Sequence, residues 1–231
     1  MTNAPARLLA EFVGTFALIF IGAGAIMTTA GWTNGGTLIG IAAAHGFVIA
    51  VMVSGLGHIS GGHFNPAVST ALLATRKIQP VEWATYVIAQ LAGAAVAALA
   101  LTAIYPKVVQ DATGLGVPAV GAGYSTGQIL LVEAILTFFL VFTVFAVAVD
   151  SRGAFKMIAG LPIGFVVFFD ILMGGPLSGG AMNPARWFGP ALVGGHWDNW
   201  WIWIVGPIVG GLVAAFAYEI VVLRSKHAAA E

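Results

Sequence analysis

The chain has 231 residues, of which 9 are Lys or Arg and 9 are Asp or Glu, so only 8% are charged and the net charge is zero. A soluble domain carries about a quarter charged residues; here 59% are hydrophobic and the mean hydropathy is +0.97, too little polar surface to cover a water-soluble globule. Soluble enzymes, nucleic-acid binders and disordered chains are excluded together, because no basic or acidic tract occurs, and the lack of cysteine removes disulfides, thiolate chemistry and cysteine metal sites.

Six full-length apolar segments follow one another, at about 8–30, 37–57, 82–104, 127–149, 157–174 and 199–223. Between Glu11 and Arg76 there is no charged side chain at all, a gap longer than two bilayer crossings of about 20 residues each. The runs are long and rich in Ala, Leu, Gly and Val, which fits helices and not the short alternating strands of a barrel. The first is expected to be a retained span and not a signal peptide, since it is followed by more spans. Two shorter pieces, about 65–75 and 183–193, each open with Asn-Pro and are too short to cross. Proline is tolerated in a first helical turn, where its missing N–H has no intrahelical partner anyway. Each piece is therefore expected to be a half-helix. Irregular backbone is not tolerated against lipid, so the Gly-rich lead-ins should line a cavity inside the protein.

Charge placement orients the spans. Arg7, Arg76, Lys77, Arg152, Lys156, Arg224 and Lys226 fall on the side of both termini, while Lys107 lies opposite and Arg186 within the second half-helix. That bias makes the termini side cytoplasmic. Trp197, Trp200, Trp201 and Trp203 are expected to form an interfacial belt at the other end of the last span.

The stretch Ser60-Gly61-Gly62-His63-Phe64-Asn65-Pro66-Ala67 returns 118 residues later as Ser178-Gly179-Gly180-Ala181-Met182-Asn183-Pro184-Ala185. Glu11 with Thr15 is echoed 122 residues on by Glu133 with Thr137. The chain thus reads as a single membrane domain over 1–231 made of two similar halves, about 1–110 and 125–231, each with three spans and a half-helix. Three is odd, so the second half is inverted. Inverted repeats with broken helices put the functional site near the midplane, where the half-helix N-termini meet.

The paired Asn-Pro-Ala boxes, the second continuing into Arg186, together with the two intramembrane glutamates, resemble the aquaporin (major intrinsic protein) family over nearly the whole chain. The resemblance implies an all-α membrane protein: six transmembrane helices plus two half-helices in a right-handed bundle, assembled as a homotetramer in the cell (inner) membrane, with no cofactor. It implies passive conduction of water through a pore at Asn65, Pro66, Ala67, Asn183, Pro184 and Ala185. Two helix N-termini, each worth roughly half a positive charge, would repel cations there, and the amides would break a proton-conducting water chain. Each Asn would also cap its own half-helix. Glu11 and Glu133 read as structural acceptors for the N–H groups of the Gly-rich loops.

By the same resemblance His45, Ile171, Gly180 and Arg186 form the selectivity filter. Strict water channels generally carry Phe and His at the first two of these positions, and glycerol facilitators carry aromatics at the first and third with Asp after the Arg. The quartet here is similar to that of the ammonia-permeable branch, tonoplast-type proteins and aquaporin-8, so neutral ammonia is an expected second permeant, with His45 offering a ring nitrogen to it. The other readings are a strict water channel or a glycerol-type facilitator, and for His45 a core histidine bonded to a neighbouring helix. Two features depart from the pattern: the loop at about 105–126 lacks the histidine that plant members use beside the filter, and Trp187 stands where facilitators have Asp. Asp170 is expected to anchor a histidine or a backbone N–H.

A coupled transporter would need ion ligands at the midplane, where the boxes offer amides. An intramembrane enzyme is disfavoured because neither HExxH nor GxSxG occurs. His58 and His63 flank the first half-helix, but two histidines without further ligands make a poor metal site.

Overall fold

The computed structural model describes residues 3–30, 37–152 and 158–223. In chain order the helices are α1 (Ala4–Ala30), α2 (Leu38–Ser60), α3 (Pro66–Ala74), α4 (Pro80–Ile104), α5 (Lys107–Thr113), α6 (Thr126–Val144), α7 (Gly160–Ser178), α8 (Pro184–Gly194) and α9 (Ile202–Ala217). No strand occurs among the described residues. Helices α6 and α9 continue as wider turns over Phe145–Val149 and Tyr218–Leu223. With those extensions, α1, α2, α4, α6, α7 and α9 are the six helices long and apolar enough to span a membrane. The two half-helices are α3 and α8.

Two expectations shift. The fifth span was to end near residue 174, yet α7 carries Pro176 inside it and stops only at Gly179, whose φ of 82° lets its N–H reach the Gly175 carbonyl. The expected loop at 105–126 contains α5 and a tight turn at Gly114–Gly116. Residue 157, the expected start of the fifth span, and the charges Lys156, Arg224 and Lys226 lie outside the described residues.

Packing follows the repeat. In each half the first span packs on the third, α1 on α4 and α6 on α9, and the halves join where α2 crosses α7. Each half-helix lies mainly against the last span of the other half, α3 on α9 and α8 on α4. The repeats therefore interlock. Small residues set the crossings, as expected where lipid supplies no hydrophobic drive and close backbone approach must hold helices together. A Cβ on Gly46 would sit 2.6 Å from the Gly164 carbonyl oxygen, and one on Gly164 would sit 2.4 Å from that of Gly46.

Candidate functional site

Each half-helix starts from an extended Asn that caps it. The Asn65 Oδ1 accepts the Ala67 N–H at 2.8 Å, and the Asn183 Oδ1 accepts those of Ala185 at 2.9 Å and Arg186 at 3.3 Å. The same amides join the halves. Asn65 Nδ2 donates to the Met182 carbonyl at 2.8 Å, and Asn183 Nδ2 donates to the Phe64 carbonyl at 2.9 Å. Capping and cross-linking use one oxygen and one N–H, which leaves each amide a second N–H. To present those carbonyls, Phe64 and Met182 adopt φ values of 49° and 52°, a left-handed conformation uncommon for residues with a side chain.

Buried carboxylates hold that strained backbone in place. Glu11 accepts from Ser60 Oγ, the N–H groups of His63 and Phe64, and Gln90 Nε2, at 2.6 to 3.0 Å. Glu133 accepts from Ser178 Oγ and the N–H groups of Ala181 and Met182, at 2.6 to 2.9 Å. Without these acceptors the loops would bury unpaired N–H groups at about 1–3 kcal/mol each. Neither glutamate lines the cavity between the half-helices.

That cavity has a volume of about 500 Å³ and is continuous. One end opens beside Arg7, Lys77 and Glu82; Asn65 and Asn183 lie along it; His45, Ile171, Gly180 and Arg186 line its other end. The structure thus brings the four filter candidates together, and Pro66, Ala67, Pro184 and Ala185 lie buried in the first turns of the half-helices behind the two amides.

Arg186 is fully buried, and no carboxylate is bonded to it among the described residues. Its Nη1 donates to the Gly116 carbonyl at 2.8 Å and its Nε donates to His45 Nε2 at 3.3 Å, while Nη2 has no partner among the described residues. Because a guanidinium only donates, His45 Nε2 must accept, so Nδ1 carries the proton and donates to the Ile41 carbonyl at 2.8 Å. The ring fits against α1 because residue 22 is glycine: a Cβ there would lie 2.5 Å from His45 Nε2. This corrects the expected role of His45. Both nitrogens are taken by the protein, so the ring steadies Arg186 and offers the cavity no free nitrogen. The alternative of a core histidine bonded to a neighbouring helix describes what is seen, the neighbour being α8 through Arg186. Gly116 supplies the second hold on Arg186, in place of the absent loop histidine.

Ile171 and Gly180 are matched: a Cβ on Gly180 would lie 2.9 Å from Ile171 Cδ1, and Gly180 has a φ of 55°. The isoleucine fills the volume a third-position side chain would need. Asp170 does not anchor a histidine or a backbone N–H as expected; it is buried and its Oδ2 has no hydrogen-bond partner among the described residues. The Ala181 and Met182 N–H groups go to Glu133 instead.

The tryptophan belt also needs correction. Trp197, Trp200 and Trp201 are exposed, but Trp203 is buried, stacked on Trp187 at 6.1 Å and 4°, and donates from Nε1 to the Ser178 carbonyl at 3.1 Å. Tyr86 does the same in the first half, its hydroxyl donating to the Ser60 carbonyl at 2.8 Å. Sequence reasoning missed Gly22, Tyr86, Gln90 and Gly116. Aligning the spans as well as the boxes would have paired Tyr86 with Trp203; nothing local marks Gly22 or Gly116.

The family described as major intrinsic protein (MIP) matches residues 2–218. Similar proteins include aquaporin TIP4-4 of Zea mays, 46% identical over 217 residues, covering 92% of this chain and 84% of that protein. Probable aquaporin TIP3-2 of Arabidopsis thaliana is 42% identical, with 95% and 84% covered, and nodulin-26 of Glycine max is 40% identical, with 95% and 79% covered. Among solved structures, an aquaglyceroporin from Plasmodium falciparum superposes with a TM-score of 0.89, covering 98% of this chain and 100% of that one. At 24% identity that likeness shows the fold.

Proposed function

The chain belongs to the aquaporin, or major intrinsic protein, family and is a multi-pass transmembrane channel for water and small solutes; we propose that it conducts water and neutral ammonia passively and excludes protons and ions. The observation that carries this reading is the course of the cavity. It runs past both Asn amides and ends at a buried guanidinium with a free Nη2. In this reading the two half-helix N-termini set a positive potential at the narrow midpoint and the spare amide N–H groups turn passing water to accept from both sides. A hydrogen-bonded chain through that point cannot relay a proton. Arg186 repels cations at the far end and donates from Nη2 to the permeant.

Ammonia is close to water in size, so polarity decides its passage. Ile171 gives the filter a dry wall where a polar side chain would favour water alone. With the His45 nitrogens engaged, the ammonia reading rests on Ile171 and on Arg186 Nη2. Ammonium sheds its proton before the filter, since Arg186 faces it with like charge. Glycerol flux is low relative to water, because Ile171 and His45 crowd the space a carbon backbone would need. In the same reading both termini are cytoplasmic and the channel assembles as a homotetramer.

Stopped-flow light scattering on proteoliposomes tests this with sucrose, glycerol and ammonium gradients in turn. Water permeability well above empty liposomes, ammonia uptake above lipid background and an undisturbed pH gradient are expected. Water permeability equal to empty liposomes sinks the channel reading. Loss of the pH gradient removes proton exclusion, and ammonia flux at background leaves a strict water channel.

A further inference from the structure

We infer that Trp187 is a positioning residue for Arg186 and thereby sets how large a solute the channel admits. The inference rests on the filter reading above.

Trp187 follows Arg186 in α8 and is 1% exposed, yet it lines no part of the cavity. It lies flat on Trp203, whose Nε1 holds the Ser178 carbonyl at the entry of the second Gly-rich loop. The two indoles belong to a separate apolar cluster with Ile129 and Ala181, and Val117 and Val120 pack against it. Those valines lie just beyond Gly116, whose carbonyl receives Arg186 Nη1. One aromatic stack therefore backs both the guanidinium's acceptor and the loop that carries Gly180. With the indole removed, the Gly116 segment loses its backing and Arg186 can leave the cavity wall.

The chemistry of the indole supports a role in shape. Trp187 Nε1 is buried without a partner among the described residues, and a buried unpaired N–H works against stability. The ring fills this place although its polar atom bonds nothing among the described residues. The repeat partner at this position is Ser69, which bonds Gln90 Nε2 and His63 Nδ1. A bulky plane is thus not a general need of the half-helix. It occurs only beside Arg186.

The test uses W187L, W187F and wild type in proteoliposomes, reading the ratio of glycerol to water permeability. W187L should raise the ratio by about tenfold, the scale on which one apolar group discriminates in a pocket. W187F keeps a stacked plane and should keep the wild-type ratio. In R186V, where the guanidinium is already gone, adding W187L should leave the ratio where R186V alone puts it. An unchanged ratio in a water-conducting W187L overturns the inference, and so does an effect that persists in full in R186V. A wild type without water permeability would instead overturn the filter reading itself. If W187L fails to fold, V117A, which loosens the same backing, should raise the ratio instead, and an unchanged ratio in a water-conducting V117A overturns the inference.

Discussion

The two Asn-Pro-Ala half-helices have the same cap, the same cross-bond and the same glutamate cradle, yet their backing differs in kind. Behind α3 lies a polar network: Ser69 joins His63 and Gln90, and Tyr86 links the Ser60 carbonyl to Arg7. Behind α8 the matching place holds Trp187 stacked on Trp203. The end of the cavity with a polar backing has His63 in its wall and opens between ion pairs, Arg7–Glu82 and Lys77–Glu219. The end with a dry backing carries a buried guanidinium nitrogen with no partner among the described residues. Repeat symmetry preserves what holds the backbone, and the side chains behind it are free to specialise each end.

The largest way to break the comparison is to remove what the halves share. Glu11→Gln and Glu133→Gln each turn one acceptor oxygen into a donor facing loop N–H groups, a loss of about 1–3 kcal/mol for each N–H left unpaired. Glu11 serves one donor more than Glu133. Detergent-solubilised Glu11→Gln should therefore unfold at the lower temperature of the two; equal stability would show that the Gln90 bond adds nothing.

Next in size are the two carbonyl ties. Tyr86→Phe keeps its ring and loses the donor to Ser60 and the acceptor for half-buried Arg7, about 1 kcal/mol. Trp203→Phe loses a donor and the volume that the Trp187 plane rests on, about 1–3 kcal/mol. Thermal unfolding should rank Trp203→Phe below Tyr86→Phe. The reverse order would mean that the polar side depends more on its tie than the aromatic side.

A smaller effect lies outside both supports. After α6, Asp150 accepts from the Arg152 side chain and from its backbone N–H, and the Tyr218 hydroxyl donates to it at 3.1 Å. The hydrogen bonds from Arg152 hold the Asp150 carboxyl well below the usual carboxylate range. A lowered folded value stabilises above the unfolded value of about 4 and is lost as pH falls below it. Asp150→Asn should thus lower the unfolding temperature by the same amount across pH 5–8, and the gap to wild type should close below about pH 4. A gap that changed within pH 5–8 would point to another group. Smallest is Lys107→Ala, which breaks an exposed i,i+4 pair with Asp111 worth at most about 0.5 kcal/mol. No measurable change in unfolding is expected.

The fold was largely legible because its signals are local or repeated. Apolar run length marks spans, Asn-Pro marks a half-helix start, and a duplicated Glu with a duplicated loop announces a carboxylate cradle. The candidate site was legible in membership only. That His45 and Arg186 share a wall could be read by resemblance; that His45 spends both nitrogens on Ile41 and Arg186 could not. The same holds for Trp203, whose neighbours in sequence are exposed tryptophans while its own ring turns inward.

By itself, then, the chain's pattern determined six spans, two inverted half-helices and the residues that meet between them. Hydropathy and capping act within a few residues of each other, so they can be read along the chain. Tertiary structure alone decided which atoms hold Arg186, which carboxylate stays without a partner and which indole backs the filter. Those outcomes turn on contacts between residues 70 and 141 positions apart, Gly116 or His45 with Arg186, where a few tenths of an ångström at a glycine crossing decide whether a donor reaches its acceptor.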